Sequence, residues 1–363
     1  MIPFNERTLN VDAGPKCTLQ CSACARTRFR EQGKKIPGKD LTPEQFKKII
    51  KYFKRASFCG TFSDPIFNVH FIEILKICRD ENIFTEVHTA ASHKPEKWYQ
   101  EAFLANINAN WIFGIDGLPK DSHKYRVNQD GEFLFDMMLL NKYLGSKPEW
   151  QYIVFDYNKD DIEEAKKIAK QHKLKFMLIL SNRPVAKEIK NEDIDIEDKD
   201  GTLGWKTPDK KEEKPDQNWY LDSKVFNNYT GIDFSNKNIS NQPKRNHRKY
   251  LKEDNNNKNT LKPKCLLTNR DLSYSVTGHI LPCCWVNVAW EDESIKKLFK
   301  DKLHIDNNKS IEDILDSDEW KEFMSKLENS PDKDIPSVCK RYCSTDLKKN
   351  VEGDRKLYAN NLL

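Results

Sequence analysis

The chain has 363 residues, of which 37% are hydrophobic and 32% charged, with a formal net charge of +5. A mean hydropathy of −0.80 marks a chain with much polar surface. The sequence has no run approaching the ~20 apolar residues of a membrane helix, which excludes a helical membrane protein. The slight basic excess is interspersed with acids and does not argue for nucleic acid. The start, Met1-Ile2-Pro3-Phe4-Asn5-Glu6, lacks a basic stretch leading into an apolar one, so a cytoplasmic protein is expected and a secreted precursor is not.

Residues 7–181 alternate short apolar runs with amphipathic segments. The runs Thr8–Asp12, Ser57–Gly60, Phe84–Thr89, Trp111–Asp116, Tyr152–Tyr157 and Phe176–Ser181 predict strands, each too short for a typical helix. Between the first two, Thr42-Pro43-Glu44-Gln45 reads as a capping box with proline at the first helical position. Phe46, Ile49, Ile50 and Phe53 then fall on one helical stripe running to about Lys54, and Phe71, Ile74, Leu75 and Cys78 repeat that spacing. Ala165, Ile168 and Ala169 mark a further helix over Glu163–His172. This rhythm predicts right-handed βαβ units and a mainly parallel sheet of about six strands, either a partial (β/α) barrel or an open doubly wound sheet. Both gather ligands at the C-terminal ends of their strands.

Residues 183–264 are rich in Lys, Asp, Glu and Asn and bury too little to fold alone. Trp205, Trp219, Tyr220, Phe226 and Phe234 could anchor this stretch as a bridging insertion; a flexible linker is the plainer alternative. The basic run Lys244–Lys249 reads as solvated surface before it reads as a phosphate contact. Beyond Lys264, Leu272–Val276 and His279–Leu281 around Gly278 predict a hairpin. Ser310-Ile311-Glu312-Asp313 predicts a cap on a short helix, and Glu319–Leu327 a second helix. The implied division is 1–182, an insertion 183–264, a small cysteine-rich α+β region 265–346, and a tail 347–363.

Ten cysteines are present. Without an export signal a disulfide framework is not expected. Cys59 and Cys78 stand alone in apolar segments and read as small buried hydrophobes. Cys17, Cys21 and Cys24 crowd the loop after the first strand. Thiolates at gaps of three and two residues can wrap one iron–sulfur cubane, and three protein ligands leave one iron open for a small molecule. Structural zinc is the alternative, but its usual paired C-x-x-C or Cys/His set is missing.

The Cys17-x3-Cys21-x2-Cys24 motif resembles that of the radical S-adenosylmethionine (radical SAM) enzymes, over roughly residues 7–181 plus the C-terminal cysteines. The resemblance implies a 4Fe–4S cluster whose open iron binds the amino and carboxylate groups of S-adenosylmethionine (AdoMet). It implies reductive cleavage to a 5′-deoxyadenosyl radical that abstracts hydrogen from the substrate. Phe62-Ser63-Asp64-Pro65 stands where the family has a Gly-Gly-Glu-Pro-like turn, and Thr89-Ala90-Ala91-Ser92 where it has a Thr-Asn-Gly-like segment. Gly114-Ile115-Asp116-Gly117 with Arg126 is similar to its Ser-x-Asp-Gly…Arg element, with Arg126 on the methionine carboxylate. Asn158 matches a position that faces adenosine. By themselves, Asp64-Pro65 and Asp116-Gly117 are ordinary turn dipeptides.

Cys265, Cys283, Cys339 and Cys343, with Cys284 as a spare, resemble the auxiliary-cluster region of SPASM and twitch enzymes. Five cysteines here favour one auxiliary 4Fe–4S cluster; a zinc knuckle on the same four residues remains the alternative. The expected function is hydrogen abstraction from a peptide or protein, with an electron donor such as flavodoxin or ferredoxin. A small molecule of aminosugar or nucleotide type is the other expected substrate class. A non-enzymatic zinc-stabilised scaffold is the reading from outside enzymology.

Overall fold

The computed structural model describes residues 8–180, 265, 272–289, 292–329, 335–343 and 355–358. All six expected strands form and lie side by side in chain order. They are β1 (Thr8–Val11), β2 (Arg55–Phe58), β3 (Phe84–Thr89), β4 (Asn110–Gly114), β5 (Glu149–Val154) and β6 (Lys175–Leu180). Every neighbouring pair among them is parallel.

The expected hairpin forms as β7 (Leu272–Tyr274) and β8 (Ile280–Leu281). Its turn includes Gly278 at φ +82°, and a Cβ there would sit 1.9 Å from His304 Nε2, so glycine is required on both counts. The hairpin also extends the core sheet: β7 pairs parallel to β1, with Leu9 opposite Leu272. A β1 left at the edge would present unpaired backbone groups, and β7 removes that exposure. At the far side β9 (Arg355–Tyr358) pairs antiparallel to β6. The order β8-β7-β1-β2-β3-β4-β5-β6-β9 is that of an unclosed, mostly parallel sheet.

Four strands, β2, β4, β5 and β6, start one to three residues earlier than their apolar runs suggest. Arg55 pairs with Thr8 and Phe84, and the ladder ends at Phe58. Cys59, expected buried, therefore lies beyond the last paired residue and is exposed, while Cys78 is buried as expected. β5 stops at Val154 because the Asn158 side chain takes the Phe155 N–H at 2.7 Å.

The core helices are α1 (Ala25–Glu31), α2 (Pro43–Ile50), α3 (Phe71–Asp80), α4 (Glu96–Ala105), α5 (Gly131–Tyr143) and α6 (Ile162–Gln171). The capping box is present: Gln45 N donates to Thr42 Oγ1 at 3.2 Å, and Thr42 N to Gln45 Oε1 at 3.1 Å. Helices α2 to α5 pack in succession. Phe46, Phe58, Phe71, Trp111 and Phe103 form a continuous aromatic seam between helices and sheet, with edge-to-face contacts at Phe58–Phe71 and Phe103–Trp111. Each such pair adds about 0.5–1.5 kcal/mol beyond the area it buries.

Towards the C-terminus follow α7 (Glu293–Lys296), α8 (Ile311–Leu315), α9 (Asp318–Asn329) and α10 (Ser337–Cys343). Ser310 and Asp313 form the expected cap on α8. No described helix is long and apolar enough to cross a membrane. The insertion 183–264, with its aromatic anchors and Lys244–Lys249, lies outside the described residues, as does the tail apart from β9.

Candidate functional site

The C-terminal ends of β1 to β5 and the connections leaving them carry the N-terminal cysteines and all the expected AdoMet contacts. Cys17, Cys21 and Cys24 occupy the connection from β1 to α1, with Cys24 at the helix N-cap. Cys24 N donates to Cys21 O at 3.0 Å, which folds the loop back on itself. Leu19 N donates to Cys17 Sγ at 3.4 Å. Burial pushes the Cys17 thiol up, and the negative charges of Asp64 and Cys21 push it further. Burial raises Cys21 to about 11 against the pull of Arg126. Thiols this poorly solvated ionise only beside cations, and soft iron ions are such partners. Among the described residues no three His, Cys, Asp or Glu side chains close on one point for a single metal ion. Three soft donors on one loop fit a larger cluster at this position.

Arg26, in α1, backs the loop and was not singled out from the sequence. Its buried guanidinium donates to the carbonyls of Pro15 and, at 3.2 Å, Phe62. Burial lowers its pKa, while Cys17, Cys24 and Asp12 support its charge. It ties the cysteine loop to the turn after β2.

That turn carries Ser63 and Asp64. Asp64 is buried and already engaged within the chain. It accepts Thr89 Oγ1 at 2.9 Å, Ala90 N at 2.8 Å, Ala91 N at 3.0 Å and Ile66 N at 3.3 Å. Burial raises its pKa against those hydrogen bonds. Asp64 and Thr89 thus lock the ends of β2 and β3 together. Ser92 Oγ accepts Asp130 N at 2.8 Å.

After β4, Asp116 is fully buried; its Oδ1 accepts Ile153 N and its Oδ2 accepts Arg126 Nε, both at 2.7 Å. Arg126 Nη1 lies 4.0 Å from Cys21 Sγ. Burial works against the Arg126 charge, but Asp116, Cys21 and Tyr125 outweigh it, so the guanidinium stays protonated. Gly114 makes room for it, since a Cβ there would lie 3.0 Å from Arg126 Nη2. Asn158 is buried and spent on its own turn, accepting Phe155 N and donating to Ile153 O at 3.0 Å. Gln129, also missed in the sequence, donates to the carbonyls of Ala90 and Gly114 and so bridges β3 and β4.

Asp12, read above only as a strand end, is buried and accepts Thr61 N and Phe62 N at 3.1 Å and Ser63 Oγ at 2.7 Å. Burial raises its pKa to about 6.

In the C-terminal part Cys339 belongs to the hydrophobic core, and Cys265, Cys283 and Cys343 pack against that core. Burial raises the Cys339 thiol, and it also feels the charges of Cys283, Cys265 and Cys343. The helix α10, which carries Cys339 and Cys343, packs against the short helix that follows Cys283. Cys284 opens the short helix Cys284–Ala289.

No protein-family model matches the sequence, and no curated protein matches it. Solved structures do. Native anSMEcpe with bound AdoMet is 16% identical with a TM-score of 0.53, covering 93% of this chain and 89% of that one. Native anSMEcpe with bound AdoMet and Kp18Cys peptide is 16% identical with a TM-score of 0.52, covering 96% and 93%. Streptococcus suis SuiB matches at 13% identity and a TM-score of 0.45, and this chain covers 82% of itself but only 66% of SuiB. At these identities the likeness is one of fold. The two anSMEcpe structures, with TM-scores above 0.5, share the fold of this chain, an unclosed, mostly parallel β/α sheet.

Proposed function

We propose that this chain is a radical SAM enzyme in which Cys17, Cys21 and Cys24 hold a 4Fe–4S cluster with AdoMet on its open iron. The carrying observation is the placement of three thiols, that of Cys21 buried and those of Cys17 and Cys24 half-buried, on the loop after β1, at the ligand-gathering end of the sheet, with the Arg126 guanidinium beside Cys21. When bound, the cluster and AdoMet would supply an electron for sulfonium cleavage and, through it, hydrogen-atom abstraction from the substrate. The protein contributes position and dryness. Arg126 spends Nε on Asp116 and keeps further N–H groups for a carboxylate such as that of methionine. Ser63, Asp64, Thr89, Ser92, Asp116 and Asn158 frame the AdoMet site chiefly through the strand ends they lock. Asp64 and Asn158, whose hydrogen bonds are internal, act on backbone rather than on ligand.

The substrate we propose is a peptide or a protein. The support is the likeness to anSMEcpe, which has been solved with Cp18Cys and Kp18Cys peptides at TM-scores of 0.50 and 0.52. We assign one auxiliary 4Fe–4S cluster to Cys265, Cys283, Cys339 and Cys343, supported by the charges of the other three bearing on the Cys339 thiol and by the packing of α10 against the short helix after Cys283. A flavodoxin or ferredoxin would supply electrons in the cytoplasm. The division into a core to residue 182, an insertion to 264 and a cysteine-rich unit to 346 belongs to the same proposal.

Anaerobic reconstitution with iron and sulfide, followed by dithionite and AdoMet, tests it. Wild type is expected to form 5′-deoxyadenosine and Cys21→Ala none. A cluster-loaded wild type that forms none overturns the reading.

A further inference from the structure

A file of buried polar side chains runs from the turn after β2 to the C-terminal cysteine segment. Asp12 holds the Thr61 and Phe62 N–H groups and the Ser63 hydroxyl, and its Oδ2 also accepts Asn287 Nδ2 at 3.1 Å. Behind Asn287, Ser275 Oγ donates to Asn287 Oδ1 at 2.6 Å. Ser275 Oγ also meets Thr277 Oγ1 at 2.8 Å, Thr277 Oγ1 meets His279 Nδ1 at 3.0 Å, and His279 Nε2 lies 3.2 Å from the Lys300 carbonyl. Asp12, Asn287, Ser275 and His279 are all buried.

Packing alone does not call for this arrangement. A buried polar network is tolerable only when its members are satisfied, and it then specifies one geometry where an apolar core would accept several. The ends of the file decide what that geometry serves. Asn287 lies on the short helix that opens at Cys284 and directly follows Cys283. At the other end the N–H of Phe62 is held by Asp12, while its carbonyl is held by Arg26 of α1, which also donates to the Pro15 carbonyl at the start of the N-terminal cysteine loop. The two cysteine groups are thus joined through one turn by hydrogen bonds and short rigid elements.

We infer that Asn287 and Asp12 are positioning residues through which the C-terminal cysteine segment sets the Thr61–Asp64 turn, so that an assembled C-terminal centre tightens AdoMet binding at the N-terminal one. This rests on the radical SAM reading above. Linkage makes the effect reciprocal: AdoMet equally favours the assembled C-terminal centre.

The test uses the full chain, reconstituted anaerobically, as wild type, Asn287→Leu and Ser275→Ala. Asn287→Leu is expected to speed amide exchange at residues 60–64 and to weaken AdoMet binding about tenfold, the scale of one hydrogen bond to a charged group. It should also blunt the change that AdoMet causes in the electron paramagnetic resonance spectrum of the reduced N-terminal cluster. Ser275→Ala, which removes the hydroxyl that orients Asn287 and meets Thr277, should act in the same direction by about threefold, with iron content unchanged and a lowered melting temperature. Asn287→Leu that leaves either the exchange at 60–64 or the AdoMet affinity at wild-type values overturns the inference. If that variant does not fold, the same comparison on Ser275→Ala decides. A wild type that binds no AdoMet removes the radical SAM reading instead, and exchange at 60–64, which needs no AdoMet, tells the two failures apart.

Discussion

Arg126 stands between Asp116 and Cys21: its Nε is 2.7 Å from Asp116 Oδ2, and its Nη1 is 4.0 Å from the Cys21 sulfur. The Asp116 side chain is fully buried and that of Arg126 nearly so. Removing one partner of a buried pair leaves an uncompensated charge, so Asp116→Ala is expected to lower stability by about 3–5 kcal/mol in urea unfolding. Arg126→Lys keeps the charge but loses the planar fork. Its expected signature is a near-normal unfolding midpoint with AdoMet affinity reduced about tenfold in equilibrium titration.

The same guanidinium defines what position 114 can hold. A Cβ on Gly114 would meet Arg126 Nη2 at 3.0 Å and Ala90 Cβ at 3.3 Å. The arginine tip is the softer neighbour, so Gly114→Val should displace Arg126 before it disturbs β4. Overpacking is expected to cost about 1–3 kcal/mol of stability. AdoMet binding should fall below detection in the same preparation; a variant that binds AdoMet normally contradicts the placement of Arg126.

Asp12 gives the protein a pH signature. Its carboxyl is raised from 3.8 to about 6 in the folded chain, chiefly by burial. Folded protein therefore binds the proton more tightly than unfolded protein. This contribution to stability is fully present below about pH 4 and is lost as pH rises towards 6, a change on the order of ~3 kcal/mol. Asp12→Asn has no proton to lose, so urea unfolding between pH 4 and 7 should show a flatter profile than wild type.

Metal content separates the two cysteine groups. Wild type purified anaerobically is expected to carry about eight irons and eight sulfides per chain, roughly four of each per cluster. A triple Cys17→Ala, Cys21→Ala, Cys24→Ala chain should keep about four irons, and Cys339→Ser with Cys343→Ser should keep the other four. Zinc in place of iron at the C-terminal group would assign those four cysteines to a structural knuckle and leave the N-terminal cluster untouched.

Features written within a few residues of one another were legible in the sequence. Thr42 and Gln45 form their capping box, and Ser310 and Asp313 theirs, because both partners lie within a single helical turn. The six parallel strands followed from short apolar runs between amphipathic helices, and the cysteine triad from its own spacing. The limits of the runs were less legible. β2 ends at Phe58 through its pairing with β1 and β3, which is why Cys59 lies exposed beyond it.

Only the tertiary structure decided which distant groups meet. Nothing near residue 272 announces that it will lie against Leu9, yet that pairing covers β1 and brings Asn287 to Asp12. Nothing in the sequence singles out Arg26 until the Pro15 and Phe62 carbonyls close around it. Asp64 and Asn158 look available until the backbone donors they satisfy are in place. The physical reason is common to all of these. Periodicity and capping are energies of neighbours along the chain, whereas the burial of a charge and the choice of its partner depend on which surfaces the whole fold brings into contact.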